Sequence, residues 1–293
     1  MNLKNYLKSR QKKIDRALDR YLPKENVKPA TIHKAMRYSL FAGGKRLRPI
    51  LCLAAAEACG GKIDRALPLA CALECIHTYS LVHDDLPSMD NDDFRRGRPT
   101  CHKVFGDGIA VLAGDGLLTI AFEIVSRAKP TARYDMSTLL REVAVAAGSQ
   151  KLIAGQVADL EAEGQKANRA QLRYIHENKT AAILTTTVRL GAMSANANPK
   201  QLAAITKFGC ALGLAFQIID DILDVTQTSD KLGKSAGKDV AAKKATYPAV
   251  IGLEKSRAEA KRLTRKAHDA LSIFGTKAEA LHTLANYLLE REY

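Results

Sequence analysis

The sequence has no tryptophan, and aromatic residues make up only 5% of its 293 positions. The platforms that stack nucleic-acid bases are therefore poorly supplied, and no zinc-finger or RNP-like spacing replaces them. The six cysteines, Cys52, Cys59, Cys71, Cys75, Cys101 and Cys210, form no C-x-x-C pair. That excludes the commonest zinc and dithiol motifs, and the expectation is buried free thiols in a reducing cytoplasm. No apolar run approaches the roughly 18 residues a bilayer span needs, and residues 1–13 are polar and basic, so a soluble, non-secreted protein is expected. Neither β-type alternation nor an internal repeat of about 20–50 residues is found.

What is present is helical patterning. Apolar residues recur at helical spacing, as in Leu7, Ile14, Leu18 and Leu22, or Leu69, Leu73 and Ile76. Breaks fall at Pro23, Pro29, Gly60-Gly61, Gly97-Arg98-Pro99, Gly106 to Gly108, Pro130, Gly164, Pro199 and Gly233 to Gly237, leaving segments of ordinary helix length. The prediction is one all-α domain over residues 1–293, a many-helix bundle. The 45 Lys plus Arg against 31 Asp plus Glu give a net charge of +14, which calls for an anionic partner. With aromatics scarce, a phosphorylated small molecule is favoured over nucleic acid.

Two acidic clusters interrupt this pattern. His83-Asp84-Asp85-Leu86-Pro87-Ser88-Met89-Asp90 closes one apolar segment, and Gln217-Ile218-Ile219-Asp220-Asp221-Ile222-Leu223-Asp224 sits inside another. On a helix Asp220 and Asp224 share a face, and like charges one turn apart cost roughly 0.2–0.5 kcal/mol. A merely solvated face is a poor account of carboxylates within the apolar stretch Leu212 to Val225; buried carboxylates require metals or paired cations. An all-oxygen donor set with no adjacent Cys favours a hard cation, and Mg²⁺ typically bridges one or two carboxylates to phosphates. Basic groups that suit phosphate recur at Gly43-Gly44-Lys45-Arg46-Leu47-Arg48, Arg95-Arg96-Gly97-Arg98, Lys179-Thr180 and Lys231 to Lys244.

The strings GGKRLRP (43–49), HDDLPSMDNDDFRRGRPTCHKVFG (83–106), ENKTA (177–181) and FQIIDDILD (216–224) resemble, in order, those of the trans-prenyl diphosphate synthase family. The resemblance implies an all-α bundle around a central apolar cavity, a homodimer, and dependence on Mg²⁺, with more than one ion per site. It also implies that Asp84, Asp90 and Asp220, supported by Asp85, Asp221 and Asp224, hold the metal on an allylic diphosphate. Lys45, Arg48, His77 and Arg96 match positions for isopentenyl diphosphate. Arg95, Lys179, Lys234 and Lys244 match cations on the allylic diphosphate, and Thr180 and Gln217 match groups at its reacting end. His77 stands two helical turns before Asp84, nearly on one face with it, whereas His33, His176 and His282 have no such support.

The implied chemistry is ionisation of the allylic C–O bond, attack by the isopentenyl double bond and loss of a proton, so no side-chain nucleophile is required. Tyr79 and Ser80, just before the first cluster, are the candidate floor that sets product length. An aromatic at Tyr79 with the lengthened first motif resembles bacterial farnesyl diphosphate synthases, so a farnesyl product is expected. A geranylgeranyl diphosphate synthase of the same family is the alternative, and a catalytically silent isoprenoid-binding subunit a third reading. A basic nucleic-acid-binding helical protein would leave Asp220-Asp221 unexplained.

Overall fold

In the computed structural model, residues 1–165, 168–226 and 246–289 are described. Among them the chain is a succession of helices: α1 Leu3–Tyr21, α2 Ala30–Leu40, α3 Leu47–Ala58, α4 Ile63–Asp84, α5 Cys101–Phe105, α6 Asp107–Ser126, α7 Met136–Ala147 and α8 Leu152–Ala162. They continue with α9 Arg169–Ile175, a widened turn of π type at His176–Ala181, α10 Ala182–Ser194, α11 Pro199–Thr226, α12 Tyr247–Ile251, α13 Leu253–Ala270 and α14 Glu279–Leu289. The helix breaks follow the glycines and prolines of the sequence. The one departure from an all-helical reading is a short antiparallel ribbon, Phe94–Arg95 against Arg98–Pro99.

Helices α3, α4, α10 and α11 form the interior. In α4 the buried set runs almost continuously from Ala66 to Ile76, so nearly every face is covered. By contrast α1 buries only Ile14, Ala17 and Leu18, the stripe of a surface helix. Small residues let the inner helices approach closely: a Cβ on Gly191 of α10 would stand 2.1 Å from the Cys52 carbonyl oxygen of α3.

Two sequence expectations change here. Helices 107–126 and 199–226 are in fact long and apolar enough to cross a membrane by length and composition. The few charged residues within them escaped a search for uninterrupted apolar runs. Both helices pack into the bundle, and α11 lies mostly inside it. Of the cysteines, Cys52, Cys71, Cys75 and Cys101 are buried as expected, but Cys59 is half-buried and Cys210 is exposed on the outer face of α11.

Candidate active site

The first acidic cluster forms where α4 ends. The chain turns back there, with the Asp90 and Asp92 backbone N–H groups donating to the Asp84 and Asp85 carbonyls at 2.8 and 3.2 Å. Asp85 is buried, and Arg95 grips its carboxylate through Nε at 2.7 and 2.8 Å and through Nη2 at 2.5 Å. Burial pushes Asp85 above the usual carboxylate range, against the pull of that guanidinium. The Asp84 carboxylate takes no hydrogen bond from a described residue. Burial pushes its pKa up to about 6; Lys179 and Arg95 oppose the shift, and Asp90 and Asp85 add to it.

The ribbon between the two basic strings is a two-residue hairpin. Its loop residues Arg96 and Gly97 both have positive φ, 54° and 75°, as a right-twisted hairpin requires. The turn sends Arg96 to the Gly43 carbonyl at 2.5 Å. Gly44 makes room for it, since a Cβ there would meet the Arg96 guanidinium at 2.6 Å.

The first basic string is held by Arg46, whose own φ is +51°. Its buried guanidinium donates to Asp15 of α1 at 2.9 Å, Glu74 of α4 at 2.9 Å and the Leu40 carbonyl of α2 at 2.7 Å. Arg48, in the first turn of α3, is half-buried, and its Nε has no partner among the described residues. Burial lowers the Arg48 pKa, and so does Arg96, while Glu74 and Asp220 support its charge. His77, one turn beyond Glu74, is held well below the usual imidazole range by burial and then by Arg48, Arg96, Arg95 and Arg46; it is neutral at physiological pH. Lys45 points elsewhere: it is exposed and lies 5.2 Å from the Tyr287 ring of α14.

The second cluster occupies the interior of α11. Asp221 is buried, with Oδ1 accepting from the Gln217 amide at 3.2 Å and Oδ2 from the Tyr247 backbone N–H of α12 at 2.9 Å. Gln217 in turn accepts from the Thr180 hydroxyl at 2.9 Å. Asp224, one turn from Asp220, is buried too. The widened turn supplies Lys179, whose Nζ reaches Asp159 of α8 at 2.6 Å. Tyr79 is buried and sets its ring edge-on to His83, centroids 5.8 Å apart. His83 itself bonds the Val111 carbonyl of α6 at 2.9 Å. The Ser80 hydroxyl is turned back onto the His77 carbonyl at 2.9 Å.

Arg48, His77, Arg95, Arg96, Asp84, Asp85, Asp90, Lys179, Thr180, Gln217, Asp220, Asp221 and Asp224 thus gather at one end of the bundle. Lys234 and Lys244 lie outside the described residues. Sequence reasoning missed Asp159 and Tyr247, and set His176 aside. His176 is buried, stacks on Tyr247 at 5.3 Å and lies 3.6 Å from Asp221 Oδ2. Burial pushes its pKa down to about 3. Its partners, Asp221 and Tyr247, come from distant parts of the chain, which hid it. Tyr247 acts through its backbone, which no side-chain pattern reveals.

An all-helical bundle with two aspartate clusters at one end is the isoprenoid synthase fold, and solved structures bear this out. The chain superposes on geranylgeranyl pyrophosphate synthetase from Pyrococcus horikoshii Ot3 with a TM-score of 0.90, at 32% identity over 99% of this chain and 98% of that one. On an FPP/GFPP synthase from Zymomonas mobilis the TM-score is 0.85, at 36% identity over 98% and 99%. Residues 29–283 match the polyprenyl synthetase family. The chain belongs to that family, the trans-prenyl diphosphate synthases, and is a prenyltransferase. Its sequence is also 49% identical to a chloroplastic geranylgeranyl pyrophosphate synthase from Catharanthus roseus, over 99% of this chain and 82% of that one.

Proposed function

We propose that this chain condenses isopentenyl diphosphate with an allylic diphosphate and that its product is geranylgeranyl diphosphate. One observation carries the reading: each aspartate cluster is within electrostatic reach of a basic group from another element, Asp84 of Lys179 and Asp220 of Arg48. Such a site has two basic walls for two diphosphates. Arg48, Arg96 and neutral His77 receive isopentenyl diphosphate, without Lys45, which is turned toward Tyr287. Lys179, Thr180 and Gln217, together with Lys234 and Lys244, hold the allylic partner, and Arg95 supports it while steadying Asp85.

Among the described residues no three acidic, His or Cys side chains are grouped closely enough to hold one ion, but the donor set is of the kind that suits Mg²⁺. It is all oxygen, and a desolvated Asp84 with a raised pKa is a carboxylate short of a cation. Asp84, Asp90 and Asp220 would hold the metal, with Asp85, Asp221 and Asp224 behind them; when bound, it would neutralise the charge building on the departing diphosphate. Leu81 and Val82 of α4 line a recess together with Asp85, Arg95 and Arg96, apolar surface of the kind that shields a carbocation from water.

The names of the plant relatives and of the archaeal structure support the twenty-carbon product over the farnesyl product expected from the sequence. The Tyr79 ring supports it as well, because it is engaged with His83 at the α4–α6 seam. Farnesyl diphosphate remains the second reading, favoured by the same ring if it closes the cavity floor beside Ser80. Chromatography of dephosphorylated products decides between them: geranylgeraniol from the wild-type protein is expected. Farnesol from the wild type that shifts to geranylgeraniol in Tyr79→Ala would establish the second reading. A homodimer is supported by the exposed apolar residues Val111, Leu112, Val145, Ile153 and Val157 on α6, α7 and α8. A cytoplasmic location is supported by the absence of any disulfide among the six cysteines.

A further inference from the structure

The widened turn at His176–Ala181 is not held by its own hydrogen bonds alone. It is pressed between two helices at points where neither carries a side chain. A Cβ added to Gly155 of α8 would stand 2.2 Å from the Lys179 backbone nitrogen, 2.6 Å from its Cα and 2.8 Å from the Asn178 carbonyl carbon. A Cβ on Gly213 of α11 would stand 2.6 Å from Ala181 Cα. These obstacles are backbone atoms, so no rotamer change relieves them. Neither glycine has a positive φ; close approach, not conformational freedom, is what requires glycine here.

The same stretch of α8 and the turn are cross-tied by polar bonds. Lys151 Nζ donates to Asn178 Oδ1 at 3.2 Å, and Asn178 Nδ2 donates to the Tyr174 carbonyl at 2.9 Å. Asp159, one helical turn beyond Gly155, takes the Lys179 ammonium. The backbone of Lys179 and its side chain are thus both fixed from α8, through Gly155 and Asp159. Widened turns of this kind cluster at functional sites because they re-aim side chains.

We propose that Gly155 is a positioning residue for prenyl transfer. By letting the α8 backbone lie against the widened turn, it fixes Lys179 and Thr180 at the reacting end of the allylic diphosphate. The inference rests on the role proposed above for that lysine and threonine. Replacing Gly155 with alanine improves helix propensity, yet forces the turn away by on the order of 1 Å, a displacement that can cost about 100-fold in rate.

The test is steady-state kinetics of Gly155→Ala, Lys179→Ala and the double variant, with both substrates varied. Expected for Gly155→Ala are a kcat lower by about 100-fold, a raised KM for the allylic substrate and an unchanged KM for isopentenyl diphosphate. In the Lys179→Ala background the glycine change should cost far less than in the wild type, the remainder passing through Thr180. An additive loss in the double variant overturns the proposal, and so does equal damage to both KM values. Wild-type activity of Gly155→Ala beside an impaired Lys179→Ala overturns the inference alone. A fully active Lys179→Ala overturns the assignment of the lysine and the inference with it. Should Gly155→Ala fail to fold, Gly213→Ala tests the clamp from the other side, with the same KM split expected and a uniform loss overturning it.

Discussion

The two aspartate clusters are nearly the same string in two settings. The first sits at the C-terminal end of α4, where the helix dipole disfavours negative charge. There Asp85 is neutralised by Arg95, while the Asp84 carboxylate takes no hydrogen bond from a described residue. The second lies within the continuous helix α11, where Asp221 accepts from an amide side chain and from a backbone N–H. Burying a carboxylate is costly in both places. One cluster meets the cost with an ion pair and leaves the Asp84 carboxylate without a hydrogen bond from a described residue, whereas in the other neutral donors contribute and also tie α12 to α11. The first cluster is thus built at the expense of stability, and the second contributes to it.

That contrast is sharpest in paired substitutions. Asp84→Asn should lower kcat by about 1,000-fold or more, corresponding to roughly 4 kcal/mol of lost transition-state stabilisation. The same change should raise the melting temperature of the ligand-free protein, because a desolvated charge is removed. A fall in melting temperature would show that Asp84 is structural.

Next in size is Asp221→Ala. It strands the Tyr247 N–H and the Gln217 amide in a buried setting, and a loss of about 2–4 kcal/mol is expected in denaturant unfolding. Asp221→Asn should recover part of it, since Oδ1 still accepts a hydrogen bond. If Asp84→Asn and Asp221→Ala shift stability in the same direction, the contrast fails.

The smallest effect is in pH dependence, measured with metal chelated. Asp84 has a folded pKa raised to about 6 against 3.8, so the folded state binds the extra proton. Its contribution to stability therefore falls as pH rises from about 4 to 6, by up to about 3 kcal/mol. His176 beside the second cluster has the opposite sign. Its folded pKa is lowered to about 3 from 6.5, so the unfolded state binds the proton and stability is lost as pH falls through that window. Wild type minus Asp84→Asn and wild type minus His176→Phe should give stability differences of opposite slope; parallel slopes would contradict both assignments.

Much of this architecture was legible in the sequence because helical periodicity and glycine or proline breaks are local signals. The helix bundle was found that way, and the two clusters as interruptions of it; the cations Arg48, Arg95 and Lys179 were singled out by the resemblance of their strings to the family. What escaped is non-local. Asp159 looks like an ordinary exposed acid until α8 is packed on the widened turn, and Gly155 looks like a helix defect until its missing Cβ is seen to face Lys179. Lys45 matches the motif yet reaches toward Tyr287, because the guanidinium beside it in sequence, Arg46, takes the inward position.

Arg46 has a consequence for how the molecule opens. Its single guanidinium bonds α1, the end of α2 and the middle of α4, and both it and Glu74 are nearly sealed from water, at 3% and 2% exposure. Pulling any one of these helices away strands a buried charge, so the three do not fray independently. In native-state hydrogen exchange, the slow amides of α1, α2 and α4 should share one opening free energy and one denaturant dependence, a cooperative unit at the N-terminal end of the chain. Arg46→Met would divide it, letting α1 exchange on its own while the interior of α4 stays protected.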